Sequence, residues 1–154
     1  MARSTSETLV TQSVLDRLMT VEDWPANRAQ SLRYFRDALK RDLEWLLNTR
    51  RPPIPALEDY DAAKASVINY GLPDITSLGL SSASDHRRLR VAIEESIRNF
   101  EPRLTDVRVT LEGAETVNRR LRFHIEGSMK LDPAPEEVSF DTVLELTSGE
   151  YKVK

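Results

Sequence analysis

The sequence has 154 residues, of which 40% are hydrophobic and 31% charged, and its formal net charge is −3. A chain of this length can bury a substantial core, and its balanced charge is unlike that of a dedicated nucleic-acid binder, which carries a strong basic excess. The lack of cysteine excludes disulfides, thiolate zinc sites and a cysteine nucleophile. Without an apolar run of about 18 residues or a secretory signal, we expect a cytoplasmic protein with no direct membrane insertion.

The N-terminal region begins with polar residues, and we expect residues 1–12 to be a flexible lead-in. Residues 13–19 follow with a helical spacing of apolar side chains. This spacing predicts a short helix with Val14, Leu15 and Leu18 on one side.

The segment 31–51 is predicted to be the main helix, with Ser31 as its N-cap and Pro52 ending it. Apolar residues recur at the i, i+3 and i+4 spacing of a buried stripe: Leu32, Phe35, Leu39, Leu43, Leu46 and Leu47. The end of this helix is crowded by an unusual set of residues: Trp45, Leu46, Asn48, Arg50 and Arg51.

A second helix is predicted over residues 60–70, with Ala63, Val67 and Tyr70 on its buried side and Gly71 closing it. Residues 71–83 are rich in turn formers and are predicted to be a loop. The apolar residues that we expect to hold this loop against the helices are Leu72, Ile75, Leu78 and Leu80.

The third predicted helix runs from the N-cap Ser84 to about Phe100, with Asp85 complementing its dipole and Pro102 ending it. Four residues share one apolar face: Leu89, Ile93, Ile97 and Phe100. The buried face of this helix is expected to pack on the sheet that follows.

Downstream of this helix the hydrophobic period changes from 3.6 to 2, which predicts three strands within residues 103–112, 119–131 and 137–147. Short connections favour an antiparallel meander of three strands or slightly more. The tail 150–153 either pairs again with the sheet or is offered elsewhere. Because helices precede strands, we predict an α+β fold in one domain, helical over 13–100 and β over 103–153, with the helices on one face of the sheet.

Catalytic motifs are absent from the sequence, which has no phosphate loop and no GxSxG elbow. Two carboxylates at a fixed separation are enough for glycoside hydrolysis, and Glu101 with Asp141, or Glu94 with Glu95, are nominal pairs. In a chain this acidic, surface charges and helix-end partners are the favoured interpretation. We therefore predict no catalytic residue.

The two histidines, His86 and His124, are far apart in sequence, which disfavours a histidine-rich metal site. His124 lies on the polar side of its strand and is interpreted as an exposed side chain rather than a base. Neither a metal nor an organic cofactor is predicted, and no small-molecule substrate is implied. The short arginine clusters are balanced by nearby acidic residues, so we expect these arginines to be solvated or to face a protein partner. Nucleic acid is not an expected partner.

The junction between the third helix and the sheet contains Glu101, Pro102 and Arg103. A charged pair that flanks a proline can hold such a corner in one geometry, with the arginine fork paired to the carboxylate or to neighbouring backbone. A solvent-exposed turn is the alternative.

Three segments together resemble the TssE family of type VI secretion baseplate components, which is related to the wedge protein of contractile phage tails. These segments are RDLEWLLNTRR at 41–51, SVINYGLPDITSLGLSS at 66–82 and FEPRL at 100–104. The resemblance extends from residue 13 to the end of the sequence. It implies a non-catalytic role, although the family carries a historical lysozyme-like label.

The resemblance also implies partners and a place in the cell. The wedge proteins TssF, TssG and TssK and the sheath subunits TssB and TssC are the expected partners, in a baseplate at the inner face of the cytoplasmic membrane. The resemblance implies that the corner is fixed by the motif Glu101, Pro102 and Arg103. It also implies that the residues around Trp45 are a signature of the core or of the surface that faces the wedge. Two alternatives stay open, a lysozyme-type peptidoglycan hydrolase and the equivalent wedge protein of a phage tail or phage-derived particle.

Strand exchange is the mechanism that we predict for contact with the sheath. An exposed sheet edge has unpaired N–H and C=O groups and recruits further strands. The strand 137–147 and the tail 150–153 are the predicted participants, and the sheath-facing edge is assigned to Val143, Leu144, Leu146, Tyr151 and Val153.

Overall fold

In the computed structural model of the chain, the residues described are 9–19, 25–54, 59–74, 82–115 (backbone alone at 114 and 115) and 119–154. Residues 1–8 of the predicted lead-in 1–12 lie outside the described residues, as do the predicted loop anchors Ile75, Leu78 and Leu80. Within the described part of the chain, no helix has the length and apolar character needed to cross a membrane.

The architecture is α+β, as predicted, with helices followed by an antiparallel sheet. The helices are α1 Val14–Met19, α2 Arg28–Asn48, α3 Asp61–Lys64 and α4 Ala83–Phe100, with a 3₁₀ turn at Val67–Asn69. The strands are β1 Leu104–Glu115, β2 Arg120–Met129, β3 Glu136–Glu145 and β4 Glu150–Val153. Their spatial order is β1-β2-β3-β4, so the predicted meander is correct and has a fourth strand.

The stripe of α2 is buried as predicted, but both helix ends differ from the prediction. Asn27, not Ser31, is the N-cap, and its side chain accepts from the N–H of Gln30 at 2.9 Å. Ser31 lies one turn inside the helix, fully buried, and donates to the carbonyl of Arg28 at 2.8 Å. The helix ends at Asn48, four residues before Pro52, because Thr49 is already extended.

The short helix α1 forms within the predicted segment, and the side that faces inward is the one opposite Val14, Leu15 and Leu18. Val14 is 72% exposed and Leu18 74% exposed, whereas Asp16 is buried. The reason is an ion pair of 2.6 Å between Asp16 Oδ1 and Arg41 Nη1 on α2, which holds the polar side of α1 against the protein.

The predicted helix over 60–70 is wrong, since only α3 and a 3₁₀ turn form there and Val67 is 81% exposed. Ser66 is extended between these two turns, and its hydroxyl donates to the carbonyl of Ala63. Gly71 has a φ of +103°, a conformation that favours glycine, but it follows the 3₁₀ turn and does not close the predicted helix. Leu72 is fully buried, and its N–H donates to the carbonyl of Thr49 at 2.8 Å, so this end of the loop is anchored as predicted.

The helix α4 buries the predicted face, with Leu89, Ile93 and Ile97 in the core. Its N-cap is Ser82 and not Ser84, since the Ser82 hydroxyl accepts from the N–H of Asp85 at 3.3 Å. Both serines are suitable caps by chemistry, and the position at which the chain enters the helix decides between them.

The sheet buries one face and exposes the other, as the period of 2 predicted. Its core residues are Val107, Val109, Leu121, Phe123, Ile125, Met129, Val138, Phe140, Leu144, Tyr151 and Val153. On the helical side, α4 contacts β1 and α2 contacts β4. The tail 150–153 pairs with β3 as the strand β4, which resolves the two alternatives left by the sequence.

The predicted strand edge needs a correction. Val143 and Leu144 lie in β3, which is paired with β2 on one side and β4 on the other, so neither residue is at an edge. Leu146 follows β3, and its N–H donates to the carbonyl of Arg119 at 2.9 Å. Of the five assigned residues, only Tyr151 and Val153 belong to an outer strand.

Candidate functional site at the helix–sheet junction

The corner between α4 and β1 is held by a two-pronged ion pair between Glu101 and Arg103. The Arg103 Nε donates to Glu101 Oε1 at 2.6 Å, and Nη2 donates to Oε2. Glu101 also accepts from the backbone N–H of Arg103 at 3.2 Å and is only 4% exposed. Since Pro102 separates the two residues, the pair fixes the turn from helix to strand in one geometry.

The same arginine joins this corner to α2. Arg103 Nη2 donates to Asp42 Oδ2 at 2.6 Å, and its guanidinium lies over the Phe35 ring, 5.6 Å from the centroid. Hydrogen bonding to Glu101 is the main cause that raises the pKa of Arg103, against burial, which lowers it. The guanidinium is therefore a permanent cation that two carboxylates share.

The network continues from Asp42 to α1 through Arg41. Arg41 donates to Asp42 Oδ1 from Nε at 3.0 Å and from Nη2 at 2.7 Å, and its Nη1 bonds Asp16. Five charged side chains of alternating sign therefore connect the corner before β1 with α2 and α1: Glu101, Arg103, Asp42, Arg41 and Asp16. Only the first two of these residues were predicted from the sequence to form a pair.

The carboxyl of Asp16 has a pKa below its ordinary value. Burial is the largest single influence and raises this pKa, but the hydrogen bonds from Arg41 and Ser13, with the positive charges of Arg41 and Arg103, together lower it by more. The Ser13 hydroxyl donates to Asp16 Oδ2 at 2.6 Å and accepts from the backbone N–H of Asp16. The charged form of Asp16 is thus the one that attaches α1.

The end of α2 is fastened to the outer strand of the sheet. Asn48 Nδ2 donates to the carbonyl of Tyr151 at 2.9 Å, and Asn48 Oδ1 accepts from the Tyr151 N–H at 2.8 Å. Arg50 Nη2 donates to the carbonyl of Gly149 in the preceding turn. The Asn48 side-chain amide therefore makes the two hydrogen bonds to Tyr151 that a residue of a further strand would make.

The predicted signature at the end of α2 divides into residues with different surroundings. Leu46 is in the core, while Asn48 and Arg50 hold β4 and its turn. Arg51 donates to the Asn69 side chain at 3.2 Å. Trp45 is 48% exposed, with the guanidinium of Arg41 4.8 Å from its ring centroid.

The outer face of the sheet is polar and contains His124. Its Nδ1 lies 2.7 Å from Asp141 Oδ1, so the histidine is paired rather than simply exposed as predicted. The hydrogen bond to Asp141, followed by the charges of Asp141, Glu112 and Glu126, raises the pKa of His124, against a smaller effect of burial.

The carboxylate pairs nominated for hydrolysis lie in unlike surroundings. Glu101 is buried and bonded to Arg103, whereas Asp141 is on the exposed sheet face. Glu94 is paired with Arg90 and Arg98, while Glu95 is exposed. Neither nominal pair faces a cleft together.

The part of the network that the sequence analysis missed starts from Asp42. Asp42 lies beside the apolar stripe of α2. A carboxylate at such a position needs a partner, and this was the one feature of the sequence that could have indicated an ion pair there. Its partners lie far away in sequence, with Arg103 61 residues downstream. Only the packing of α2 against the corner brings these charges together.

Three comparisons with known proteins give one match to a family. Residues 33–134 match the family model described as baseplate wedge protein gp25. Among solved structures, the chain is similar to a chain of "The baseplate complex from the type VI secretion system", with 16% identity, a TM-score of 0.49, and coverage of 72% of this chain and 94% of that chain. Comparison with curated proteins gives no match.

Proposed function

The chain belongs to the family of baseplate wedge proteins of the gp25 type, and from this premise we propose that it is a non-catalytic component of a type VI secretion baseplate. In this role it joins the wedge to the contractile sheath and templates sheath assembly from the cytoplasmic side of the membrane. The observation that carries the proposal is the family match over residues 33–134. The secretion branch, rather than a phage tail, is favoured by the resemblance of segments 41–51 and 66–82 to TssE.

A mechanical role is supported by the way in which the elements are tied together. The ion-pair network runs from the corner at Arg103 to Asp16 on α1, and Asn48 ties α2 to β4. Buried charge pairs add geometric definition more reliably than net stability. A protein that transmits force between two assemblies needs its elements held in one fixed geometry, and these contacts hold them so.

A hydrolytic role is disfavoured by the surroundings of Glu101. Its carboxylate is buried and accepts several hydrogen bonds from Arg103. A glycosidase acid must instead present its proton to a leaving group in an open cleft. We therefore assign Glu101 a structural role.

For contact with the sheath we propose strand addition at the outer edge of β4, the strand that contains Tyr151 and Val153. Hydrogen-bond direction alternates along a strand, and the Lys154 N–H points inward to the carbonyl of Asp141 at 2.8 Å. The N–H and C=O groups of Tyr151 and Val153 therefore point away from β3. Because Asn48 already bonds those of Tyr151, an incoming strand must displace its amide or begin beside it at Val153.

The test of the proposed function is co-purification and sheath assembly in a bacterium that carries the chain in place of its own wedge protein. We expect the chain to co-purify with TssF, TssG and TssK and to support sheaths of TssB and TssC. Recovery with phage tail proteins instead would assign it to a tail. Recovery with neither set would overturn the proposal.

The strand-addition step has its own pair of variants. Val153→Pro removes the outward N–H and leaves the bonds between β3 and β4 in place, whereas Val153→Ala trims the side chain and keeps the N–H. We expect sheath assembly to fail with proline and to persist with alanine. Equal assembly with both variants, alongside normal co-purification with the wedge, would overturn strand addition alone.

A further inference from the structure

The polar face of the sheet brings together three side chains that are distant in sequence. His124 on β2 is directly opposite Asp141 on β3. The register of β1 shifts between Leu111 and Gly113, and Glu112 lies in that irregularity, with its Oε1 3.9 Å from His124 Nδ1. One ligand-type atom from each of Glu112, His124 and Asp141 lies within 4.8 Å of the other two.

The second nitrogen of the imidazole also faces a carboxylate. His124 Nε2 lies 3.7 Å from Oε1 of Glu126, two residues along the same strand. In proteins that bind metal through histidine, the ring nitrogen that does not ligate usually donates to a carboxylate or carbonyl, which fixes the ring and makes it a better ligand. The side chain of Glu126 is in position to act in this way while Nδ1 faces the other two carboxylates.

We propose that Glu112, His124 and Asp141 form a binding site for a divalent transition-metal ion of the zinc type. One imidazole nitrogen with two carboxylate oxygens is a ligand set that suits zinc, cobalt or manganese. Magnesium and calcium prefer sets made of oxygen alone, and copper(I) prefers sulfur. Three protein ligands leave open positions, which water or a side chain of an assembled partner fills.

The geometry requires a modest adjustment. Two atoms that ligate one tetrahedral zinc at about 2.1 Å lie about 3.4 Å apart. Nδ1 and Asp141 Oδ1, now 2.7 Å apart, must separate by about 0.7 Å, and Glu112 Oε1, now 3.9 Å from Nδ1, must approach by about 0.5 Å. The two carboxylates, which lie within 4.8 Å of each other, must also draw together. The Glu112 and Asp141 side chains are 52% and 66% exposed, so both have room to move, while the strand pairing on both sides of β2 holds His124.

A histidine-rich metal site was disfavoured because the two histidines are far apart in sequence, and no metal was predicted. A site with one histidine is invisible in sequence, because its carboxylates come from two neighbouring strands on either side of β2. The charge is also consistent with a cation, since three carboxylates surround one imidazole. Binding transfers any proton on Nδ1 to solvent and places the metal between the imidazole and the two carboxylates.

Titration of the untagged full chain with zinc chloride tests the proposal by calorimetry at pH 7.5. We expect one ion per chain, and His124→Ala and Asp141→Asn each to weaken zinc binding at least tenfold, with circular dichroism showing an unchanged fold. The matched control is His86→Ala, which removes the other histidine and is expected to leave the affinity unchanged. Addition of cobalt(II) gives a second readout, the visible absorption of a nitrogen- and oxygen-ligated ion, which His124→Ala is expected to abolish.

Three results would overturn the site. The first is no binding of zinc or cobalt at millimolar concentration. The second is an affinity that His124→Ala leaves within twofold of the unmodified chain. The third is an equal loss in His86→Ala and His124→Ala, which would mean that the ion binds elsewhere.

Discussion

Asn48, the last residue of α2, bonds both backbone groups of Tyr151 on β4, with Nδ2 2.9 Å from the carbonyl oxygen and Oδ1 2.8 Å from the amide nitrogen. The outer edge of a sheet is a template for pairing with other chains. Here one residue of that edge is satisfied from within the protein. The helix is consequently tied to the sheet at the place where the fold would otherwise be open.

Replacing Asn48 with alanine should destabilise the protein by about 1–3 kcal/mol, because the N–H and C=O of Tyr151 lose their partners in a largely buried position. Urea unfolding followed by circular dichroism measures the free energy of unfolding, and amide hydrogen exchange at Tyr151 reports the local effect. The matched control is Asn99→Ala, which removes an exposed amide near the end of α4. Equal effects of the two substitutions would show that the amide pairing adds nothing.

The corner at Glu101 should respond to loss of charge more than an exposed glutamate does. Glu101→Gln keeps the shape but leaves Arg103, 23% exposed at its side chain, with Asp42 as its remaining carboxylate partner in the corner. Removing one member of a fully buried pair costs about 3–5 kcal/mol, and the partial exposure of Arg103 reduces our expectation to about 2 kcal/mol.

The experiment is urea unfolding of Glu101→Gln beside Glu95→Gln, which changes an exposed glutamate of the same helix. The variant Arg103→Met and the double variant complete a mutant cycle. We expect a coupling energy above about 1 kcal/mol between positions 101 and 103. Additive effects within about 0.5 kcal/mol would contradict the corner pair.

Periodicity predicted the elements that bury a continuous stripe, because a stripe depends on local spacing alone. Leu39, Leu43 and Ile93 are therefore in the core as expected. The predicted helix starts were wrong by four positions at α2 and by two positions at α4, since several polar residues near each start can cap equally well. The N-cap at Asn27 was missed for this reason.

Contacts between distant residues were the part that sequence could not supply. The spacing of Val14 and Leu18 predicted the helix α1 and its apolar side, but not that the ion pair of Asp16 with Arg41, 25 residues away, would turn the polar side inward. The pairing of Glu101 with Arg103 was anticipated because the residues are adjacent to one proline. Its extension through Asp42 depends on how α2 packs, which no local pattern reveals.

The attachment of α1 should depend on pH through Asp16. Because its folded pKa is below the ordinary value of about 3.9, its contribution to stability is present above that value and is lost as pH falls through the folded pKa. We expect α1 to remain attached at pH 5–7 and to detach only at pH values below the ordinary pKa of an aspartate carboxyl. Methyl NMR shifts of Val14 and Leu18 follow this change.

The variant Asp16→Asn should detach α1 at every pH, with hydrogen exchange over Val14–Met19 at least tenfold faster at pH 7. The control is Asp37→Asn, an exposed carboxylate on α2. If Asp16→Asn kept normal protection at pH 7, the ion pair with Arg41 would not be what holds α1.

Gly71 should tolerate no side chain, for reasons of conformation and space. Its φ is +103°, and a Cβ at this position would lie 2.4 Å from the carbonyl oxygen of Thr49. That carbonyl accepts from the N–H of Leu72, and the Gly71 carbonyl accepts from the buried hydroxyl of Ser96 at 3.1 Å, so the backbone has no room to withdraw without breaking these bonds.

We expect Gly71→Ala to destabilise the protein by more than about 2 kcal/mol, since a strained backbone costs about 1–3 kcal/mol before the clash is added. For a protein of this size, that corresponds to a fall in Tm of at least about 5 °C. The matched control is Gly113→Ala, because a Cβ on Gly113 meets no atom within 4 Å. A Tm for Gly71→Ala within 2 °C of that of Gly113→Ala would contradict the close approach of Gly71 to Thr49, and with it the packing that joins the loop after Gly71 to the end of α2.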